Sequence, residues 1–170
     1  MSIDSSKTPD PTTITENYRR LIHLADEVFN VKNDPDQLDV NQDVIIKLKK
    51  IHPATVSDYD EGNGPVAWLL VIPTTEDLMN RFLENNITER ELFELTPLDT
   101  EYHALYLCSA LVLEEYRRKG ITRKLSLDAI KSIQNDHPIQ SLFIWPFSKE
   151  GFKTAEDIAR LTSLVLYRKI

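Results

Sequence analysis

Residues 104–122, Ala-Leu-Tyr-Leu-Cys-Ser-Ala-Leu-Val-Leu-Glu-Glu-Tyr-Arg-Arg-Lys-Gly-Ile-Thr, decide the fold of this 170-residue chain. Up to Leu113 the stretch is apolar on both alternating faces, which is typical of a central strand covered on both sides. From Ile121 to Gln134 apolar residues recur close to helical spacing. The pattern therefore predicts a buried strand, a tight basic turn and a helix.

The basic turn between the two predicted elements has the features of an anion-binding site. A helix start leaves backbone N–H groups without partners and carries the positive end of the helix dipole. Gly120 permits an unusual backbone angle there. Four cations surround the turn, namely Arg117, Arg118, Lys119 and Arg123. The alternative interpretation is a solvated basic turn that only ends a strand.

Composition limits the classes of protein to which the chain can belong. The chain has 20 Lys and Arg against 27 Asp and Glu, a net charge of -7, and a pI near 5.1. Such acidity argues against electrostatic binding of nucleic acid. A local basic turn on an acidic protein suits a small phosphorylated ligand better. The mass of 19.6 kDa fits one domain, which we assign to residues 13–170 after a disordered tail at 1–12.

Cysteine and histidine usage narrows the chemistry further. Cys108 is the only cysteine, so no intrachain disulfide can form, and its place in an apolar strand indicates packing rather than nucleophilic catalysis. The four histidines are scattered without the spacing of metal ligands. The N-terminus lacks the apolar segment of a signal peptide, and no apolar run is long enough to span a membrane. We therefore expect a soluble cytoplasmic protein without a metal, a nucleic-acid partner or a membrane partner.

Upstream of the central stretch the sequence predicts a helix and a hairpin. The amphipathic helix runs from about Ile14 to Phe29, after a capping pattern at Thr13 and Glu16. Residues 44–51 alternate in part and are assigned as a strand, which residues 54–59 extend. A strong turn signal at 60–65 leads to the apolar residues 66–72, so the two runs are predicted to pair as an antiparallel hairpin.

Residues 74–100 form a predicted helical insert before the central strand. Thr74 with Asp77, and Thr88 with Glu91, are expected helix starts, and Pro97 is expected to end the second helix. The insert either caps the side on which an acceptor substrate would enter or packs on the sheet or on another subunit.

After the central helix the sequence predicts a strand at 141–148, a helix from about Thr154 to Leu161, and a strand at 163–168. Pro146 requires an edge, an end or a gap in the pairing of its strand.

The phrase Arg117-Arg118-Lys119-Gly120-Ile121-Thr122 resembles the acetyl-coenzyme A signature of the GCN5-related N-acetyltransferases. The wider phrase 112–121 is similar to that family's passage from strand to helix. Two positions depart from the family pattern. Glu114 stands where a proline is common, and Thr122 stands at the last small residue, where its side chain either crowds a pyrophosphate or donates a hydrogen bond to it.

The resemblance implies a fold class and a coenzyme site. The fold is α/β (α+β), with a mixed, mainly antiparallel central sheet flanked by helices and splayed between the coenzyme strand and the next strand. Acetyl-CoA is implied as the co-substrate. The residues that would bind it are Leu111, Val112, Leu113, Arg117, Arg118, Lys119, Gly120, Ile121 and Thr122.

The resemblance also directs the search for catalytic residues, because acetyl transfer to an amine needs a general base and a general acid. The candidate bases on the cleft strands are Glu101, His103, Ser109 and Glu114. The family's helix tyrosine is absent from residues 149–160, so Ser148 and Tyr167 are the candidate acids, although Tyr167 also fits a core position on the last strand. Residues 166–170 also resemble the family's helical Leu-Tyr-x-Lys phrase, and with that alignment the closing strands would be absent.

Three functions fit this pattern. The first is N-acetyl transfer from a coenzyme A thioester to a small amine or peptide acceptor. The second is a catalytically degenerate coenzyme-binding or regulatory module. The third is an acidic α/β interaction protein whose basic turn contacts an acidic partner; a homodimer is one such arrangement.

Overall fold

The computed structural model describes residues 16–31, 36–146 and 148–170. The predicted tail at 1–12 and the capping residue Thr13 lie outside the described residues. Within these described residues eleven α-helices and strands follow one another: α1 (Glu16–Val31), α2 (Gln42–Ile51), β1 (Val56–Asp60), β2 (Pro65–Thr74), α3 (Glu76–Leu83), α4 (Glu89–Leu95), β3 (Ala104–Val112), α5 (Ile121–Asp136), β4 (Ser141–Ile144), α6 (Lys149–Thr162) and β5 (Val165–Arg168).

The five strands form one mixed sheet in the order β1-β2-β3-β4-β5. The ladders β1–β2 and β2–β3 are antiparallel, and the ladders β3–β4 and β4–β5 are parallel. The antiparallel ladders are the longer ones, with β2 paired to β3 over most of both strands. Helices flank the sheet, so the predicted fold class is confirmed.

The sheet separates between β3 and β4. Their parallel ladder contains only the pairs Ala104–Ser141, Leu105–Leu142 and Tyr106–Phe143. Beyond these pairs β3 continues to Val112, whereas β4 ends at Ile144. Pro146 follows that end, as its missing N–H requires. The splay expected between these two strands is therefore present.

The hairpin prediction was correct in its turn and wrong in its first strand. Residues 44–51 belong to helix α2, which begins where the Asn41 side chain accepts a 3.0 Å hydrogen bond from the Val44 N–H. Leu48 and Ile51 are buried on one face, and Ile46 is 48% exposed. The apolar residues of this stretch fit the helical period as well as the partial alternation, and packing selected the helix. Strand β1 instead occupies 56–60 and pairs with β2.

The insert contains the two predicted helices, α3 and α4. Thr75, not Thr74, caps α3, because its hydroxyl accepts from the Leu78 N–H. The capping box of Thr88 and Glu91 at α4 is present as predicted. The buried Thr74 hydroxyl instead shares a 2.8 Å hydrogen bond with Thr96.

The C-terminal elements correct four predictions. Helix α6 begins at Lys149 with Ser148 as its cap, five residues before the predicted start, and strand β4 is shorter than predicted. Residues 165–168 form strand β5 at the sheet edge, so the strand predicted at 163–168 is present and the alternative helical interpretation of 166–170 was wrong. Tyr167 is 42% exposed on that edge and is not a core residue.

Helix α1 covers the end of the sheet beside the basic turn. Its Leu21 is fully buried against Val66, Leu111 and Leu113. Arg20 forms a two-point ion pair with Glu115, with 2.7 Å between Nη2 and Oε2. Within the described part of the chain, every helix is too short or too polar to cross a lipid bilayer.

Candidate functional site

A groove of about 1200 Å³ opens where β3 and β4 separate. It is lined by the free end of β3, the first turn of α5 and the start of α6. The segment 37–40 and the first residue of α4 also line it. The separation of the two strands thus connects the basic turn with the helical insert.

The second half of β3 faces this groove. The prediction of a strand covered on both sides was therefore wrong for this half. Residues 104–106 are buried, but Leu107, Cys108 and Ser109 are half-buried and Ala110 is exposed. Cys108 lines the groove, so its predicted role in core packing is only partly correct. The apolar sequence of this half lines a ligand-sized groove.

The backbone of β3 directs alternate groups into the gap. The Leu113 N–H donates a 2.9 Å hydrogen bond to the Val66 carbonyl on β2. Because backbone groups alternate in direction along an antiparallel ladder, Val112 and Ala110 direct theirs away from β2. The Val112 carbonyl indeed accepts a 3.0 Å hydrogen bond from Arg117 Nε on that side.

The three residues predicted to contact the coenzyme at the end of β3, namely Leu111, Val112 and Leu113, therefore differ in position. Val112 and Leu111 line the groove, but the backbone of Leu111 is paired with Trp68 of β2. Leu113 does not line it, because its side chain is buried beneath α1 and its N–H is engaged by Val66. Of these three residues, Leu113 is therefore the one that the groove does not contain.

The turn into α5 has the backbone geometry of an anion site. Gly120 lies in the left-handed region with φ 75° and ψ 15°, and Arg118 lies there with φ 63°. The first backbone bond of the helix runs from the Lys124 N–H to the Gly120 carbonyl at 2.9 Å. Gly120 supplies no side-chain cap. The N–H groups of the first helical turn are therefore left for a ligand or water.

The cations at the turn divide into two groups. Arg117, Arg118 and Arg123 line the groove, and no carboxylate of the described residues lies within 4.0 Å of their guanidinium groups. Lys119 and Lys124 do not line the groove: the Lys119 ammonium lies 5.2 Å from the centre of the Tyr116 ring, and Lys124 pairs with Asp128 at 2.8 Å. The groove thus contains three of the four cations that the sequence places around the turn.

Gly120, Ile121 and Thr122 all line the groove. Thr122 is half-buried beside Gly120. A side chain that lines an open groove can donate its hydroxyl hydrogen to a ligand there. Of the two alternatives for Thr122, a hydrogen-bonding role fits this position better than crowding.

The predicted catalytic residues are not brought together. Ser148 and Ser109 line the groove, and the Ser148 Oγ accepts a 3.0 Å hydrogen bond from the Gly151 N–H. Glu114 lies in an exposed single turn after β3, and Tyr167 lies on the outer edge strand. Neither residue lines the groove, and the same holds for Glu101 and His103. Ser148 is therefore the one residue of the predicted catalytic set Glu114, Ser148 and Tyr167 that the groove contains.

A carboxylate that the sequence analysis missed lies in the groove. Glu89, the first residue of α4, is 6% exposed. One of its oxygens accepts a 2.8 Å hydrogen bond from the Leu38 N–H, and the other accepts a 2.6 Å hydrogen bond from the Tyr106 hydroxyl. An acidic residue in the first turn of a helix is ordinarily attributed to the helix dipole, so only its apolar neighbours Ile87, Leu92 and Phe93 could have indicated burial.

Comparison with known proteins identifies similarities in structure. No family model matches the chain, and no curated protein does either. One similar structure is a chain of the NatB acetyltransferase complex bound to CoA and MES, at 18% identity over 74% of this chain and 70% of that chain, with a TM-score of 0.47.

Another similar structure is Naa20 of Chaetomium thermophilum in complex with a bisubstrate analogue, at 13% identity over 89% of this chain and 68% of that chain, with a TM-score of 0.49. Both similarities concern the fold alone.

Proposed function

We propose that this chain is an N-acetyltransferase of the GCN5-related type, which transfers an acetyl group from acetyl-CoA to an amine. One observation carries the proposal. The anion site at the start of α5 and the unpaired edge of β3 open into the same groove. A molecule with a phosphorylated end and an extended thioester arm fits this groove, because its phosphates suit the anion site and its arm suits the strand edge.

The phosphorylated end of acetyl-CoA would bind at the first turn of α5. The N–H groups of residues 121–123 and the positive end of the helix dipole favour an anion there. Arg118 and Arg123 add charges that no carboxylate of the described residues neutralises within 4.0 Å. Since the whole chain carries a net charge of -7, this positive site is local and favours a compact polyphosphate.

The extended arm would lie along β3. Residues 107–112 have no strand partner on the β4 side among the described residues, so their outward N–H and C=O groups can pair with the amides of a pantetheine arm. The apolar side chains of Ile121, Ile144 and Ile158 line the same groove and suit its alkyl parts. A thioester carbonyl beside the Val112 or Ala110 N–H would be polarised as an oxyanion develops.

The transfer itself requires no covalent enzyme intermediate. The amine attacks the thioester carbonyl, the C–S bond breaks, and the thiolate takes a proton. Ser148 is the candidate donor of that proton, because its Oγ accepts from the Gly151 N–H and keeps its own hydrogen to donate. Glu114 and Tyr167 have no part in this proposal.

Calorimetric titration of acetyl-CoA tests coenzyme binding. The double variant R118A/R123A should raise the Kd at least tenfold, equivalent to about 1.4 kcal/mol, because it removes two cations from the groove. K124A is the matched control: it removes a neighbouring cation that already pairs with Asp128, and it should leave the Kd within about twofold. Absence of heat at millimolar acetyl-CoA, or equal losses in both variants, would contradict the proposal.

A second function is favoured by one specific observation. Of the predicted catalytic residues only the two serines Ser109 and Ser148 lie in the groove, and this fits a module that binds the coenzyme without transfer. Thiol release with polyamines, aminoglycosides, amino acids and peptide N-termini separates the two. Binding of acetyl-CoA without release on any acceptor favours the module. Failure to bind favours the acidic interaction protein.

The cytoplasmic location belongs to the same proposal. Acetyl-CoA is an intracellular metabolite, and a chain with Cys108 as its only cysteine cannot rely on an intrachain disulfide. Cell fractionation of the tagged full chain checks this assignment.

A further inference from the structure

The helical insert places one carboxylate at the inner wall of the groove. Glu89 is fixed from two sides, by the Leu38 N–H on one oxygen and by the Tyr106 hydroxyl on the other. Burial raises the pKa of Tyr106 well above its ordinary value, with smaller contributions from Cys108 and Glu89. Tyr106 therefore keeps its proton and remains a hydrogen-bond donor to Glu89. A carboxylate held in this way has one orientation relative to the groove.

The Glu89 carboxylate lies against the irregular part of β3. Opposite β2, Val71 pairs with Leu107 and Leu70 pairs with Ser109, so Cys108 is an extra, bulged residue. The Cys108 sulfur lies 4.0 Å from Glu89 Oε2. Bulges of this kind redirect side chains and backbone groups, and they are common beside active sites. Glu89 is thus adjacent to the stretch whose backbone faces the groove.

We propose that Glu89 accepts the proton that an acceptor ammonium must lose before it attacks the thioester. This inference rests on the proposed function. One proton passes from the ammonium to Glu89, and the amine lone pair then forms the C–N bond. The C–S bond breaks and its electron pair leaves with sulfur; the Ser148 hydroxyl donates its hydrogen to the thiolate and regains a proton from the second N–H. Glu89 returns its proton to solvent, so the net products are an amide, a thiol and one proton.

Glu89 fits this task better than the carboxylates and the imidazole considered from the sequence. Glu114, Glu101 and His103 do not line the groove. Glu150 and Asp157 do line it, but Glu150 is exposed and Asp157 is already paired with Arg160 at 3.1 Å. Helix α4 therefore supplies the carboxylate that accepts the proton. In this proposal the insert at 74–100 takes part in the reaction and does not only cover the groove.

The test uses the full chain with three primary-amine probes: spermidine, kanamycin and a tetrapeptide with a free N-terminus. E89Q keeps the size of the side chain and can still accept from the Leu38 N–H, but it cannot take a proton. We expect E89Q to lower kcat at least about 100-fold with the Kd of acetyl-CoA within twofold, since a general base contributes roughly that much or more. E94Q, an exposed glutamate of the same helix, is the matched control and should retain wild-type kcat.

The outcomes separate this inference from the proposed function. If the wild type binds acetyl-CoA and releases thiol while E89Q keeps kcat within threefold, Glu89 is not the proton acceptor and the proposed function stands. If acetyl-CoA binds but no probe is acetylated, both transfer and the role of Glu89 are overturned. If E89Q fails to fold, E89D carries the test: it retains a carboxylate and should keep about a tenth of the wild-type kcat. If folded E89D binds acetyl-CoA as the wild type does but has no transfer activity, the carboxylate is not sufficient for the reaction and the proposed role of Glu89 is contradicted.

Discussion

The Tyr106 hydroxyl donates a 2.6 Å hydrogen bond to Glu89, and this bond joins the strand beside the groove to the helical insert. Tyr106 is 1% exposed, and its ring stacks on Phe143 at 5.0 Å and meets Phe82 edge-on at 5.1 Å. Tyr106 thus links β3 to the insert through its hydroxyl and to the core through its ring. A substitution at Tyr106 should therefore change both the stability of the protein and the orientation of the Glu89 carboxylate.

Replacement of Tyr106 by phenylalanine should destabilise the protein by about 1–3 kcal/mol, because a hydrogen bond to a charged group is lost while the ring packing is kept. Urea denaturation checks this through a lower midpoint with an unchanged m value. Y167F is the control, since Tyr167 is exposed at the sheet edge and its hydroxyl should matter by less than about 0.5 kcal/mol. Equal midpoints for Y106F and the wild type would show that the bond has no net stabilising effect.

Gly120→Ala should reduce both stability and acetyl-CoA affinity. At φ +75° a Cβ costs roughly 1–2 kcal/mol, and it would lie 3.2 Å from Arg123 Nη2, so the guanidinium must move. Gly62→Ala is a matched control, because it is strained at φ +119° but has nothing within 4 Å of its Cβ. We expect G62A to lose stability alone, as measured by thermal unfolding and calorimetry. Unchanged coenzyme affinity in folded G120A would argue against an anion at this turn.

Thr122→Val tests the departure from the family signature. Valine keeps the shape of the side chain and removes its hydroxyl, so a lost hydrogen bond to a phosphate should weaken acetyl-CoA binding about tenfold. Thr122→Ser retains the hydroxyl and should bind almost as the wild type does. Tighter binding by T122V than by the wild type would instead support crowding by the threonine. Calorimetry on the three proteins decides between these results.

The ion pair between Arg20 and Glu115 predicts a pH dependence of stability. The hydrogen bond from Arg20 lowers the pKa of Glu115 from 4.5 to about 2. A carboxyl whose folded pKa is depressed adds stability above its unfolded pKa and loses that stability as pH falls toward its folded pKa. The difference in Tm between the wild type and E115Q should therefore be full above about pH 5 and shrink between pH 4.5 and 2.

Because both side chains of this pair are largely exposed, added salt should reduce the effect. Thermal unfolding of both proteins at several pH values, in low and high salt, provides the measurement. A difference in Tm that stays constant down to pH 3 would exclude the pair as its source.

Local chemistry was sufficient for several elements of the fold. The strand, turn and helix of residues 104–134 follow from apolar spacing and one glycine, and the capping box at Thr88 follows from two side chains three residues apart. The turn at 60–65 has an equally local cause. Such signals depend on residues that are close in sequence, so they do not change with the tertiary packing around them.

Tertiary packing decided the rest. Residues 44–51 satisfy the helical period and part of the strand period, and only burial of Leu48 and Ile51 against the core selects the helix. The place of each candidate side chain in the groove depends on where β3 and β4 cease to pair, and this separates Ser148 from Glu114 and Tyr167. Glu89 contacts Leu38 and Tyr106, which are 51 and 17 residues away in the chain. No local pattern encodes a contact over such distances, because it exists only once the insert has packed on the sheet.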